Sequence, residues 1–256
     1  MKISFAIALL FSFASLAPVR AAEPRPLKVM LITGGCCHDY AKQKELLKEG
    51  IESRTYAEVE LVHTEDSSTK ARFDMYENPD WAKGYDVIIH DECTSDVKEM
   101  PYVQNILNAH KSVPAVNLHC AMHSYRTGTD DWFAFCGIQS SAHGPQKPIQ
   151  VEYIDQASPI TETLSGWTTV NEELYNNIRV LDTATPVARG KQDTGERTDE
   201  FVVVWTNDYH GARVFSTTLG HNNETVADPR YLDLVTRGLL WACDKLKDEY
   251  LKPAKQ

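Results

Sequence analysis

Histidines gather where a parallel sheet would hold its active site. Four predicted strands end in polar segments, and three of these ends carry a histidine directly at the turn. The four ends are residues 34–39, 90–92, 119–123 and 219–221. Because ligands bind beyond the carboxyl ends of the strands in open α/β sheets, we expect these imidazoles to converge.

Converging imidazoles with a nearby carboxylate predict a metal site. Neutral histidine nitrogens and carboxylate oxygens are ligands for zinc, manganese or iron. His119 and His123 are four residues apart, which is the spacing of two ligands on one helical face. The competing interpretation is that His123 only caps or packs, since the segment lacks the glutamate of an H-E-x-x-H motif.

A nucleophilic cysteine is a second interpretation of the same segment. Cys120 follows a buried strand, which is the position of the nucleophile in α/β-hydrolases and glutamine amidotransferases. The nucleophile of those enzymes lies at a tight turn directly after the strand, and this turn needs small residues on both sides. Here Leu118 and His119 precede the cysteine, and Met122 follows it closely. A buried, inert thiol is the competing explanation.

A third interpretation is a binding module without catalysis. Histidines and aromatic rings could hold a sugar, although tryptophan is more often part of a core. The candidate rings are Trp81, Trp132, Trp167, Trp205 and Trp241. An accessory domain of a larger carbohydrate-active protein is a related alternative.

Strands and helices alternate over the first 120 residues. Apolar runs predict four strands, at 27–33, 59–63, 85–90 and 114–118. Helical periodicity predicts two helices, at 41–55 and 102–110. This alternation is typical of a mostly parallel, doubly wound sheet with right-handed crossovers.

The second half of the chain has a different pattern. Three further strands are predicted, at 150–154, 201–206 and 213–218, with a hairpin joining the last two. Residues 230–251 predict one closing amphipathic helix, and the polar stretch 185–200 predicts a loop or an edge. We therefore expect one α/β domain with an antiparallel extension.

The composition is that of a folded, acidic protein. The chain has 256 residues, with 26 Lys+Arg against 36 Asp+Glu and a formal net charge of −10. Binding to nucleic acid needs a basic face, so we expect no nucleic-acid partner. The acidity is compatible with a neutral sugar substrate but does not select one.

Residues 1–21 have the features of a signal peptide. Lys2 gives a positive start, residues 3–16 are almost wholly apolar, and Val19 and Ala21 are small residues at the −3 and −1 positions. The apolar run is short for a membrane span, and an uncleaved anchor is the competing interpretation. We expect export to the periplasm or secretion, a domain of residues 22–256 and no membrane span after cleavage.

An exported chain can form disulfides. The six cysteines are irregularly spaced, at positions 36, 37, 93, 120, 136 and 243. No C-x-x-C pair is present, so a structural zinc knuckle is not predicted. We expect at most two disulfides, without assigned pairing, and no bond between the adjacent Cys36 and Cys37.

Five segments carry a family resemblance when they are taken together in order. They are residues 29–38, 116–119, 135–143, 158–175 and 211–242. The most specific is the last, with Gly-Ala-Arg-Val-Phe at 211–215, Leu-Gly-His at 219–221 and Arg-Gly-Leu-Leu-Trp-Ala at 237–242. With these segments the chain, from Lys28 to Leu246, resembles the trehalose-utilisation (ThuA-like) family.

The resemblance implies a flavodoxin-like fold related to the class I glutamine amidotransferases. It also implies a role on sugars, in pathways that oxidise disaccharides at the 3-position to keto sugars. We therefore expect a metal-assisted hydrolase, lyase or isomerase acting on a 3-keto-glycoside or a related carbohydrate, without a nucleotide cofactor. The family lacks the amidotransferase nucleophile, which weighs against Cys120. A homo-oligomer is compatible with the sequence.

The matched segments assign candidate roles to individual residues. The expected ligands of a zinc or manganese ion are His38, His119 and His221, with Glu173 as a further ligand candidate. The expected catalytic residues are Glu173, Glu172 and His143. The expected substrate contacts are Gly34, Gly35, His123, Arg213 and Trp132. Arg213 has a competing interpretation as a structural ion pair at the hairpin.

Overall fold

The chain alternates strands and helices up to residue 118 and continues mainly as strands. The computed structural model describes residues 23–253. The elements of the first half are β1 (Leu27–Gly35), α1 (Tyr40–Arg54), β2 (Ala57–His63), β3 (Val87–Cys93), α2 (Met100–Ala109), β4 (Ala115–Leu118) and α3 (Asp131–Cys136). Those of the second half are β5 (Ile138–Gln139), β6 (His143–Tyr153), β7 (Trp167–Tyr175), β8 (Arg179–Val180), β9 (Ala184–Asp193), β10 (Thr198–Tyr209), β11 (Ala212–Thr217), α4 (Asn223–Val226) and α5 (Pro229–Ala242).

Nine strands form one sheet with a parallel part and an antiparallel part. The order is β2-β1-β3-β4-β11-β10-β9-β6-β7, and the short strands β5 and β8 pair with each other. All pairings from β2 to β11 are parallel, and all pairings from β11 to β7 are antiparallel. The predicted parallel sheet with an antiparallel extension is therefore confirmed.

Alternating side chains of β1 build a core on each face of the sheet. Val29 and Leu31 pack into the layer that holds α1 and α5, whereas Met30 and Ile32 pack into the layer that holds α2 and α3. Successive side chains of a strand point to opposite faces, so an uninterrupted apolar run is needed where both faces are covered. The first strand was predictable for this reason.

The closing helix is shorter than predicted. α5 ends at Ala242, whereas we expected a helix to residue 251. Asp244 adopts a left-handed conformation with φ of 57°, its N–H donates to the Trp241 carbonyl, and the Lys245 N–H donates to the Leu240 carbonyl. This is the Schellman ending of a helix, formed here without the usual glycine.

The predicted loop or edge at 185–200 is wrong. β9 lies inside the sheet, between β10 and β6, and only one of its faces is well buried. A strand with one solvated face carries polar residues at alternate positions, so the polar sequence of β9 resembles a loop. The hairpin between β10 and β11 is confirmed, with His210 and Gly211 at positive φ as a two-residue turn requires.

Two predictions concern the chain ends and the membrane. The predicted signal peptide, residues 1–21, lies outside the described residues. Within residues 23–253, no helix is both long enough and apolar enough to span a bilayer.

Candidate metal centre

Three strands of the parallel part carry three predicted histidines to the same end of the sheet. β1, β4 and β11 belong to the parallel part, and His38, His119 and His221 follow their carboxyl ends. One ligand atom from each imidazole lies within 4.8 Å of the others. His90 does not join them, because β3 continues past it to Cys93 and its side chain is fully buried.

The ring nitrogens of His38 are free to bind a ligand as far as the described residues show. Both ring nitrogens are buried without a hydrogen-bond partner among the described residues. The ring lies edge-on to His119 and His221, with centroid distances of 4.6 and 4.9 Å. Burial, and then the two neighbouring imidazoles, lower the pKa of His38 to about 2. His38 is therefore a neutral imidazole with a lone pair for a ligand.

His119 is held at a strained turn directly after β4. Its φ of 41° is left-handed, which is costly for a residue with a β-carbon. Nδ1 lies 2.6 Å from the Thr218 carbonyl oxygen, so Nδ1–H donates and Nε2 keeps its lone pair. The strained turn that we considered for a nucleophilic Cys120 is thus occupied by His119.

One carboxylate oxygen lies among three imidazoles. Glu173 Oε2 is 3.5 Å from His119 Nε2, 3.4 Å from His221 Nδ1 and 3.6 Å from His143 Nε2. Burial raises the pKa of Glu173, but the adjacent imidazoles of His119 and His221 outweigh it and hold the pKa well below its ordinary value. The adjacent Glu173 carboxylate, 3.4 Å from Nδ1, in turn raises the pKa of His221. Glu173 is therefore ionised at neutral pH.

Glu172 has a different task from its neighbour on β7. It is fully buried, and its two oxygens accept the backbone N–H groups of Gly220, His221 and Asn222 at 3.1–3.3 Å. These bonds hold the loop that carries His221. The predicted catalytic role of Glu172 does not agree with this arrangement, because both oxygens are committed to backbone amides.

A cavity of about 480 Å³ opens beside the histidines. This volume is in the range of small-molecule sites, about 300–1,000 Å³. Its polar lining includes His38, His123, His143, Glu173, Tyr175 and His221. A separate cavity of about 540 Å³ is lined by Arg54 and Asp233, which form an ion pair at 2.7 Å, and its lining contains no histidine.

His143 lies at the rim of this cavity, and Asn176 anchors the segment before it. The His143 side chain is 42% exposed. Asn176 Oδ1 accepts the backbone N–H groups of Ser141 and Ala142 at 3.0 and 3.2 Å. Sequence reasoning missed Asn176, because an asparagine after a strand is too common a signal to single out.

The comparison with family models decides the family. The model described as trehalose utilisation (ThuA) matches residues 28–242. The chain belongs to the trehalose utilisation family. A comparison with curated proteins finds no match.

Solved structures share the fold of this ThuA-family chain at low identity. A ThuA-like protein from Parabacteroides merdae has a TM-score of 0.69 at 20% identity, covering 86% of this chain and 90% of that one. A GMP synthase protein from Thermoplasma acidophilum has a TM-score of 0.54 at 13% identity, covering 86% of this chain and 96% of that one. A β-galactosidase from Rahnella sp. R3 has a TM-score of 0.55 at 13% identity, covering 86% of this chain and 32% of that one. These likenesses show the fold alone, and the predicted amidotransferase-like fold is confirmed.

His119 and His123 do not act as a ligand pair in this ThuA-family chain. The segment His119–His123 is a 3₁₀ turn, in which residues four apart point about 120° apart rather than to one face. His123 Nε2 contacts the Ser140 hydroxyl at 2.8 Å, and its ring stacks on Tyr175 with centroids 4.1 Å apart. His123 forms a wall of the cavity, as a substrate contact would.

Gly34 and Gly35 support the site rather than line it. Both have positive φ, and a β-carbon on Gly35 would lie 2.2 Å from the Cys93 carbonyl oxygen. The glycines let β1 approach its neighbour and then turn towards His38. Direct substrate contact, which we predicted for both, does not follow from this position.

Trp132 and Arg213 are not brought to the cavity. Trp132 is 1% exposed, and its indole N–H donates to the Ala121 carbonyl in the core. Arg213 lies at the opposite end of β11, where it pairs with Asp244 at 3.1 Å and lies over the Trp241 ring. The structure therefore places neither predicted substrate contact at the cavity, and the ion pair of Arg213 agrees with its structural interpretation. None of the five tryptophans lines the cavity.

Four cysteines also border the cavity. The structure contains two disulfides, Cys36–Cys37 and Cys93–Cys120. The expectation that the adjacent pair would not bond is therefore wrong, whereas the expected upper limit of two disulfides agrees. Because Cys120 is bonded, it has no free thiolate to act as the nucleophile that we considered.

Proposed function

We propose that this chain processes a 3-keto-glycoside or a related carbohydrate with the assistance of a divalent cation. Membership of the trehalose utilisation family supports the carbohydrate role. The observation that carries metal assistance is His38, whose two unpartnered, buried nitrogens lie next to His119 and His221. A buried polar side chain without a partner is costly unless a ligand satisfies it.

The side chains present fit a zinc or manganese ion. His38, His119 and His221 would hold it, since neutral imidazoles suit both metals. The bond from His119 Nδ1–H to the Thr218 carbonyl is the outer contact that metal-binding histidines usually make. When bound, such a cation polarises a keto or hydroxyl oxygen, or activates water.

The remaining residues divide the work of binding and proton transfer. Glu173 is ionised but only weakly basic, because its pKa is held low, so it suits a hydrogen bond from a sugar hydroxyl better than proton abstraction. His143, half-exposed at the rim and 3.6 Å from Glu173, is better placed to transfer a proton. We therefore assign the role of general base to His143. Glu173 supplies the negative charge of the site and a hydrogen-bond acceptor for the sugar.

Elemental analysis tests the metal assignment. The wild-type protein, purified without chelators, should contain one divalent cation per chain, and His119→Ala should lose both the cation and keto-sugar turnover. His210→Ala is the matched control, because His210 is an exposed histidine in the hairpin at the opposite end of β11. Metal-free wild-type protein with full turnover would contradict the proposal. Sugar binding without turnover would instead support the non-catalytic binding module.

We also propose that the chain is exported, to the periplasm or the medium. The support is the sequence of residues 1–21, with an apolar run and small residues before the cleavage point. N-terminal sequencing of the native protein should begin at Ala22. Recovery of the protein with Lys2 still present would contradict cleavage.

A further inference from the structure

The two disulfides lie in contact with each other beside His38. Cys36 Sγ is 3.5 Å from Cys93 Sγ, although each sulfur is bonded to a different partner. The sulfurs of Cys36, Cys37 and Cys93 lie within 4.8 Å of one another. The sulfurs of Cys93 and Cys120 and a ring nitrogen of His38 also lie within 4.8 Å of one another. Four sulfurs and one unpartnered imidazole therefore form a single cluster.

One cysteine of this cluster is exposed to solvent, and the other three are buried. Cys37 is exposed, whereas Cys36, Cys93 and Cys120 are 9%, 3% and 7% exposed. A reductant in solution reaches Cys37 first. The freed Cys36 thiolate then lies next to Cys93, so that thiol–disulfide exchange can pass inwards.

We propose that reduction of the two disulfides creates a second metal site, formed by Cys93, Cys120 and His38, for a thiophilic d¹⁰ cation such as Zn²⁺. Cys36 is the nearest further ligand. Thiolate and imidazole together are the donors that such cations prefer, and three or four of them complete a zinc site. This proposal does not depend on the carbohydrate function.

The spacing of the sulfurs suits a shared cation. With Zn–S bonds of about 2.3 Å, two thiolates on a tetrahedral zinc lie about 3.8 Å apart. The Cys36–Cys93 separation of 3.5 Å is close to that distance, so Cys36 can join Cys93 on one cation with only a small side-chain movement. Gly35, whose turn brings β1 against Cys93, makes this approach possible.

The electrons and protons of this step balance. Two external dithiols each give two electrons and two protons, become disulfides themselves, and leave four thiols on the protein. Each thiol that binds the cation releases its proton to solvent. No further oxidant or reductant is needed.

The shared histidine links the two sites. His38 belongs both to the three-histidine group and to the group with Cys93 and Cys120. One imidazole lone pair serves one cation at a time, so filling the thiolate site removes His38 from the other. The redox state of the cysteines would therefore select which cation the cavity holds.

A Co²⁺ titration tests this site by spectroscopy. Protein reduced with a phosphine and desalted under argon should bind Co²⁺ with a thiolate-to-cobalt charge-transfer band, which the disulfide form should lack. Cys93→Ser should lose the band, and Cys136→Ser, which removes a buried free cysteine, should keep it. No band in the reduced wild-type protein, or a band that persists in Cys93→Ser, would overturn the proposal.

Two further measurements keep the test decisive. His221→Ala should keep the charge-transfer band in the reduced form but lose Co²⁺ binding in the disulfide form, which separates this proposal from the three-histidine site. If Cys93→Ser fails to fold, Zn²⁺ should still protect the cluster thiols of the wild-type protein from a thiol reagent. Thiols that react equally fast with and without Zn²⁺ would also overturn the proposal.

Discussion

Within residues 23–253, one cluster of histidine and glutamate is buried in the core and another lies beside the cavity. In the inner cluster, Glu92 Oε1 accepts from Tyr76 and Tyr125 at 3.2 and 2.9 Å and contacts His90 Nδ1 at 2.8 Å. His90 Nε2 meets His110 Nε2 at 2.8 Å, and His110 Nδ1–H donates to a backbone carbonyl. Every ring nitrogen of this cluster has a partner.

The outer cluster has the same side-chain types, but its hydrogen bonds are incomplete. Glu173 lies among His119, His221 and His143, but the His38 nitrogens have no partner among the described residues and the cavity is adjacent. Residue type alone therefore does not identify a site. Unused lone pairs next to an open volume distinguish a place for a ligand from a network that stabilises the core.

The largest expected difference between the clusters is in stability. His90→Ala should lower the free energy of unfolding by about 3–5 kcal/mol, because it leaves the buried Glu92 without its histidine partner. His143→Ala, at the exposed rim of the outer cluster, should change it by less than about 0.5 kcal/mol. Urea denaturation measures both. Equal losses would show that the outer cluster is also part of the structural core.

Glu172→Gln weakens the hydrogen bonds that hold the His221 loop of the outer cluster and leaves the imidazoles themselves unchanged. The amide places a donor among three backbone N–H donors, so the free energy of unfolding should fall by about 1–3 kcal/mol. The loop that holds His221 loosens, and cation affinity should fall about 10- to 100-fold.

Glu224→Gln is the matched control for Glu172→Gln, because Glu224 is an exposed glutamate shortly after the same loop. Calorimetric titration with Zn²⁺ or Mn²⁺ checks both variants. Unchanged affinity in Glu172→Gln would mean that the loop does not position His221.

The pH dependence of stability tests whether His123, which forms a wall of the cavity beside the outer cluster, is uncharged in the folded protein. Burial, and then the Arg126 charge, lower the pKa of His123 from its ordinary 6.5 to about 3. Between these values the unfolded chain binds a proton that the folded chain does not. His123 should therefore cost stability as the pH falls below 6.5, by up to about 1.4 kcal/mol per pH unit, and have no effect above it.

His123→Phe isolates this contribution. The phenyl ring keeps the stack on Tyr175 but cannot titrate, so the variant should lose less stability than wild type between pH 6.5 and 5. Urea midpoints at several pH values give the difference directly, and groups common to both proteins cancel. Parallel curves for the two proteins would show that His123 is protonated in the folded state.

The parallel half of the fold and the meeting of three histidines were predictable from the sequence. Apolar runs identify strands covered on both faces, and parallel topology brings their carboxyl ends together. β7 and β9 were not predicted, because each leaves one face partly in solvent and so alternates polar residues with apolar ones.

The roles of individual residues depended on register, which the sequence does not contain. Glu172 and Glu173 are adjacent on β7, and a shift of one residue would exchange the carboxylate at the loop with the one among the imidazoles. Likewise, His90 and His119 both occur near strand ends, but β3 extends three residues beyond His90 whereas β4 ends just before His119. Only the structure separates the core histidine from the cavity histidine.

The smallest effect is expected at Arg213, which lies on the hairpin end of the sheet, away from the outer cluster. Its ion pair with Asp244 is solvent-exposed, so Arg213→Ala should cost no more than about 1 kcal/mol of stability. Keto-sugar turnover should keep both its kcat and its KM, whereas His143→Ala should lower kcat. A raised KM in Arg213→Ala would place substrate at the hairpin end of the sheet and would contradict the cavity beside Glu173 as the binding site.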